Sequence, residues 1–174
     1  MTIAEADERW AELGRTTCAL LADRLPDVLI EVEHIGSTSV PGLAAKPVID
    51  LMGSVDDLDV VHAAEDRLAE LGFRLVPTDM AERHFLQRFD PGGTAFHLHI
   101  VAAYSWPTRN ERLLRDHLRA HPEDRDRYAA LKRELMDRLG PGEEYTRGKT
   151  ALIQELTDKA RADRGLPSVP VWED

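Results

Sequence analysis

The chain has little sulfur to work with: Cys18 is the one cysteine among 174 residues. That excludes an internal disulfide and a cysteine cluster for a metal, and it makes a reducing cytosol the expected home. Long apolar runs are missing too. Charge interrupts each apolar stretch within about ten residues, where a membrane-spanning helix needs roughly 20, so a membrane is not an expected partner. The opening MTIAEADERW is acidic where a secretory signal is basic and then apolar, so the protein is expected to stay where it is made, in the cytoplasm. Basic charge is in deficit, with 22 Lys and Arg against 32 Asp and Glu and a formal net charge of −10. Nonspecific nucleic-acid binding depends on clustered cations, so nucleic acid is disfavoured as a partner, while a local basic pocket stays open.

What is present suffices for one core, since 43% of residues are hydrophobic and 31% charged, a balance that excludes disorder. Trp10, Leu13, Thr17, Leu20, Leu21 and Leu25 recur at helical spacing and predict a helix over Ala4–Leu25, stopped by Pro26. Val28–Ile35 alternates as a half-buried strand does, and the apolar run Pro47–Val55, broken by Asp50, predicts a central strand covered on both faces. A helix over Leu58–Leu71 ends at Gly72 and leads to a strand at Phe73–Val76. His84–Phe89 and Ala95–Ala102, joined by Asp90-Pro91-Gly92-Gly93, should pair as a hairpin. Three helices follow over Thr108–Ala120, Glu123–Leu139 and Glu143–Arg164, separated by His121-Pro122 and Gly140-Pro141-Gly142. The expected fold class is α+β, a small mixed β-sheet with flanking helices and three C-terminal helices, in one domain over 1–164 with an extended tail at 165–174.

Several groups could carry chemistry. Gly36-Ser37-Thr38-Ser39 follows a strand and exposes N–H groups and hydroxyls, as a phosphate cradle does, although ordinary turns use the same residues. Asp50 in an apolar strand needs a counter-charge: a structural partner such as Lys46 or an arginine, or a metal or catalytic role. His97 and His99 share one strand face, away from Phe96, Leu98 and Ile100, and suit a divalent metal, proton transfer or plain structural duty. Tyr128 with Lys132 and Tyr145 with Lys149 each set a ring one helical turn before an ammonium, for a nucleotide or for semi-buried packing. Arg83, Arg88, Arg115 and Arg119 would bind phosphate or carboxylate if they converged.

The run from Glu33 to Asp50, EHIGSTSVPGLAAKPVID, closely resembles the signature of the GrpB family. The His97-Leu98-His99 strand, Arg115-Asp116-His117-Leu118-Arg119 with His121-Pro122, and the two Tyr/Lys pairs agree with it. The resemblance implies a nucleotidyltransferase-superfamily fold, in which a Gly-Ser pair follows one strand, two acids one residue apart sit on the next, and a third acid comes from a later strand. Gly36, Ser37 and Asp50 match that pattern. Met52 occupies the second acid's position, and the later strand offers His97 and His99 instead of a carboxylate. Such a set is poor for two Mg²⁺ ions and would suit one softer ion, Zn²⁺ or Mn²⁺, or none. The expected ligand is a nucleotide or other phosphorylated small molecule, with Gly36 to Ser39 holding phosphate and Lys46, Arg83, Arg88, Lys132 and Lys149 neutralising it. Asp50, His97 and His99 would hold a cation or move a proton, and nucleotidyl transfer would be the reaction. The family also resembles a domain fused behind dephospho-coenzyme A kinase and thought to assist its folding. That implies the alternative of a noncatalytic binding or folding-assistance module with a protein partner.

Overall fold

Capping and alternation set the first elements. The structure, a computed structural model, describes residues 2–171. Helix α1 (Glu8–Arg24) starts where the Asp7 carboxylate accepts the Arg9 N–H. It begins later than the apolar stripe suggests because Ala4 bridges to Ala45 instead. Strand β1 (Glu31–Ile35) runs antiparallel to β2 (Val48–Val55), with Ile35 opposite Asp50. The crossover that follows is two short helices, α2 (Val60–Ala63) and α3 (Glu65–Glu70), because Ala64 leaves helical geometry at φ −98° and ψ 1°. Strands β3 (Arg74–Val76), β4 (Arg83–Phe89) and β5 (Ala95–Ala102) complete a five-stranded sheet of order β1-β2-β5-β4-β3. The expected hairpin of β4 and β5 forms, and β2 with β5 is the one parallel pair among the described residues. The α+β class with a mixed sheet is therefore the observed one.

The strand period then divides the molecule. Ile49, Leu51, Phe96, Leu98 and Ile100 are fully buried against Trp10 and Leu21 of α1, Leu25 at its C-terminal cap, and Val61 and Leu68 of the crossover. Asp50, His97 and His99 take the opposite face. There α4 (Asn110–Ala120), α5 (Pro122–Leu139), α6 (Glu143–Gly148) and α7 (Thr150–Ala162) follow a 3₁₀ segment at Ala103–Thr108. Leu118, Tyr128, Ala129, Ile153 and Leu156 from these helices form a second core with Val40 and Leu43. The last expected helix is divided at Lys149, beside Gly148, where a Cβ would lie 2.7 Å from Leu135 Cδ2.

The tail from Leu166 to Val171 forms no helix or strand and is held against α7. Arg161 Nε donates to Pro167 O at 2.6 Å, and Gln154 bonds Val169 O and the Val171 N–H. Residues 172–174 lie outside the described residues. Among the latter, no helix is long and apolar enough to cross a membrane.

Leu98→Ala should lower stability by about 3 kcal/mol, the usual cost of a cavity in a packed core. Phe89→Ala at the hairpin end, where Phe89 is 66% exposed, should change it by less than about 0.5 kcal/mol. Urea unfolding of the two variants checks the contrast.

Candidate functional site

The chain leaves β1 through a turn that glycine alone permits. Gly36 has φ 71°, and a Cβ there would lie 2.6 Å from Asp50 Oδ2, so the turn rests directly on the Asp50 carboxylate. A 3₁₀ turn over Ser37–Ser39 follows. The Thr38 hydroxyl donates to Val48 O at 2.8 Å and meets His34 Nε2 at 3.0 Å, while the Ser39 hydroxyl donates to Gly36 O. Both side chains therefore hold the turn together. Helix α4 fixes it from outside: Arg119 donates twice to Ser39 O, and Arg115 donates to His34 O and to Glu33, which Arg112 also grips. Burial pushes His34 down to about 4, partly offset by Asp50.

With Thr38 beside it, Ser37 lines a cavity of about 200 Å³ between β2, β5, α5 and α6. Its hydroxyl accepts from Lys132 Nζ at 3.0 Å. Lys132 Nζ also lies 4.6 Å from the Tyr128 ring centroid, and Lys149 Nζ lies 4.5 Å from that of Tyr145, so both Tyr/Lys pairs form. Lys46 joins them, 4.2 Å from the Tyr145 ring. Burial pushes Lys132 down to about 7, with Lys149 and Arg133 adding to it. Lys149 falls to about 8 through burial and then the nearby Lys46 charge. Against three ammonium groups, the lining has one carboxylate among the described residues, Asp50. Beside it stands His97, whose Nδ1 is 3.4 Å from Asp50 Oδ1 and whose Nε2 meets Gln87 Nε2 at 3.2 Å.

A second hollow of about 260 Å³ adjoins the first and shares Ser37, Asp50 and Tyr128 with it. Ile35, Leu114 and Leu118 give it an apolar wall; Arg83, His99 and Glu111 supply polar groups. Arg83 is held by Glu82 and by Glu111 at 2.7 Å, and its Nη1 donates to His99 Nδ1 at 3.3 Å. Burial, and then the Arg83 charge, push His99 down to about 4. The two histidines thus leave the same face of β5 but open into neighbouring hollows, His97 beside Asp50 and His99 beside Arg83.

Arg88 stands apart from the rest of the expected set. Its guanidinium lies 3.9 Å from the Phe96 ring, on the α1 side of the sheet, with Nε 3.0 Å from Asp90. Arg83 and Arg88 stand an odd number of positions apart on β4, so alternation turns them to opposite faces. Arg88 therefore contributes nothing to either hollow. The converse omission concerns Glu33, Arg112 and Glu111, which brace the turn and Arg83. Their pairing across distant segments left no mark in the sequence beyond the charge of Glu33 inside an apolar strand pattern.

A two-ion centre does not fit this donor set. Met52 is fully buried with Ile35, Val101 and Trp106 where a second carboxylate would stand. Asp50 and His97 offer two donors, short of the three protein ligands of a typical resident ion, and three lysines line the same cavity. The lysines, in contrast, have a clear linkage consequence. Their ordinary value is 10.5, so between about pH 7 and 10 the unfolded chain binds more protons than the folded one, and stability rises with pH. Lys132→Met should flatten that rise, as compared by urea unfolding at pH 7 and pH 9; an unchanged pH slope would contradict the buried, depressed Lys132.

The GrpB family model, described as GrpB protein, matches residues 1–159. The UPF0157 protein SCO7215 of Streptomyces coelicolor is 36% identical, over 93% of this chain and 85% of its own. A dephospho-CoA kinase of Mycobacterium bovis is 29% identical over 81% of this chain and 40% of the kinase. Among solved structures, the conserved protein GrpB from Enterococcus faecalis superimposes with a TM-score of 0.83 at 26% identity, covering 94% of this chain and 99% of that one. The Cid1 poly(U) polymerase with Mg 3′-dATP bound superimposes with a TM-score of 0.56 at 16% identity, over 85% of this chain and 50% of its own, a likeness of fold alone. With its motif run, its nucleotidyltransferase-like sheet and a family match over nearly the whole sequence, the chain belongs to the GrpB family.

Proposed function

We propose that the lysine-lined cavity binds a phosphorylated small molecule of the nucleotide class. The observation that carries this reading is the meeting of Lys46, Lys132 and Lys149 over Tyr128 and Tyr145 in a chain whose net charge is −10. Like charges held together in a partly enclosed pocket raise the free energy of its empty state, and an anion relieves it. The ammonium groups and the Ser37 hydroxyl would take the phosphates. The adjoining hollow, with Ile35, Leu114 and Leu118 on one side and His99, Arg83 and Glu111 on the other, would take the remainder of the molecule. The fold shared with a polymerase that binds 3′-dATP supports the nucleotide class.

Met52 favours binding without transfer. Nucleotidyl transfer with two hard ions needs several carboxylates on one strand face, and here the second of them is an apolar, buried side chain. The second reading, a folding-assistance module, draws on the same residue and on the relatedness to a segment of dephospho-CoA kinase.

Melting of the protein with ATP, GTP, UTP or pyrophosphate, each with and without Mg²⁺, Mn²⁺ or Zn²⁺, tests the proposal. A ligand at one hundred times its dissociation constant adds about 2.7 kcal/mol, which raises Tm by about 5–10 °C in a domain of this size. Lys46→Met and Lys149→Met should each remove the shift while leaving the unliganded far-UV spectrum unchanged. If no phosphate compound moves Tm, or the shift survives both substitutions, the binding reading is wrong.

A further inference from the structure

Lysine is scarce in this chain and unevenly placed. Of the 22 basic residues, four are lysines, Lys46, Lys132, Lys149 and Lys159, and the remaining 18 are arginines. Three of the four lysines line the cavity beside Ser37. The two residue types differ in reactivity: a guanidinium stays protonated, whereas an ammonium can shed its proton and become a nucleophile. Arginine would grip a phosphate through two parallel hydrogen bonds. What lysine adds is a nitrogen that can react.

The three cavity lysines are not equivalent. Lys46 and Lys149 are half-buried and share one ring, their Nζ atoms 4.2 and 4.5 Å from the Tyr145 centroid. Lys132 is 2% exposed and stands against the other ring, Tyr128, while Ser37 Oγ accepts one of its N–H groups at 3.0 Å. Among the described residues, no carboxylate forms an ion pair with it. Burial, and then the Lys149 and Arg133 charges, loosen its proton to about 7. The neutral amine is therefore well populated near neutrality, and the bond to Ser37 uses an N–H, not the lone pair. Lys159 is the contrast. It is exposed, and its hydrogen bond to Glu155, at 3.1 Å with Asp124 at 3.4 Å, holds its proton more firmly than usual.

We propose that Lys132 accepts an acyl group from acyl phosphates, the mixed anhydrides of a carboxylic and a phosphoric acid, acyl nucleotides among them. This rests on the anion binding proposed above and adds to it a reaction that limits itself. Lys46 and Lys149 hold the phosphate and balance its charge, so that Lys132 keeps its neutral amine. Its Nζ attacks the carbonyl carbon; a C–N bond forms, the C–O bond to the phosphate breaks, and the phosphate departs with that electron pair. The proton that Nζ sheds goes to the released phosphate. The amide so formed carries no charge and takes up part of the cavity of about 200 Å³. Acylation thereby closes the recess to further anions.

The test incubates the unaltered protein near neutral pH with acetyl phosphate and, separately, with p-nitrophenyl acetate, an acetyl donor that carries no phosphate. Peptide mass spectrometry over time maps the acetylated lysines. Acetyl phosphate should acetylate Lys132 about tenfold faster than Lys159, and pyrophosphate should slow the first without slowing the second. Protein acetylated at Lys132 should lose the Tm shift with pyrophosphate. Lys46→Met should slow transfer from acetyl phosphate to Lys132 and leave transfer from p-nitrophenyl acetate unchanged; the mapping needs no variant, so it decides the matter should Lys46→Met fail to fold. Equal rates at Lys132 and Lys159 overturn the transfer, as does a rate at Lys132 that pyrophosphate does not slow, an undiminished rate in Lys46→Met, or a Tm shift retained by the acetylated protein. If pyrophosphate raises Tm while the two rates are equal, only the transfer falls and the anion binding stands. If pyrophosphate leaves Tm unmoved, the binding itself falls and the transfer with it.

Discussion

Gly36 and Asp50 touch more closely than any side chain at position 36 would allow, since even a lone Cβ there would stand only 2.6 Å from Asp50 Oδ2. The rest of the cavity depends on this contact. It seats the turn on the central strand, so that Ser37 is aimed at Lys132 and the Thr38 and Ser39 hydroxyls are engaged in holding the turn's own backbone. Three arginines of α4 then lock the turn from the far side, through Glu33, His34 O and Ser39 O. Partly buried charge-assisted hydrogen bonds of this kind are stronger than neutral ones, and here their multiplicity matters more than any single one. A cradle made rigid before a ligand arrives loses little entropy on binding.

Electrostatics give the cavity its character. The chain is acidic overall, yet its cations are unevenly neutralised. Arg83, Arg112, Arg115 and Arg127 are paired with carboxylates, whereas Lys132 and Lys149 are paired with tyrosine faces and a serine hydroxyl. A tyrosine face attracts an ammonium without neutralising it. No carboxylate cancels the lysines' charge, and burial instead loosens the protons of Lys132 and Lys149, so an arriving anion favours their charged forms. Such positive potential in a recess of a negatively charged surface is focused and local.

Periodicity carried much of this layout in the sequence. The alternation Phe96-His97-Leu98-His99-Ile100 separated core from cavity correctly, and helical spacing paired each tyrosine with its lysine. The same rule, applied from Arg83 to Arg88, would have divided those two, since an odd separation on a strand reverses the side chain. Other features had no local signal. Lys46 meets Tyr145, and Glu33 meets Arg112 and Arg115, only because the late helices fold back over the β1–β2 region, and tertiary pairing of that kind is invisible to a window of neighbouring residues. The breaks at Ala64 and Lys149 were likewise hidden, because alanine and lysine are good helix formers; at the second, Gly148 packs closely against Leu135.

The hydrogen bond between Ser37 and Lys132 spans 95 positions of the chain. Closing so large a loop costs chain entropy, and non-local contacts of this kind form slowly. During synthesis, then, the sheet can gather around α1 while the basic recess does not yet exist; it comes into being only as the final helices leave the ribosome and fold back.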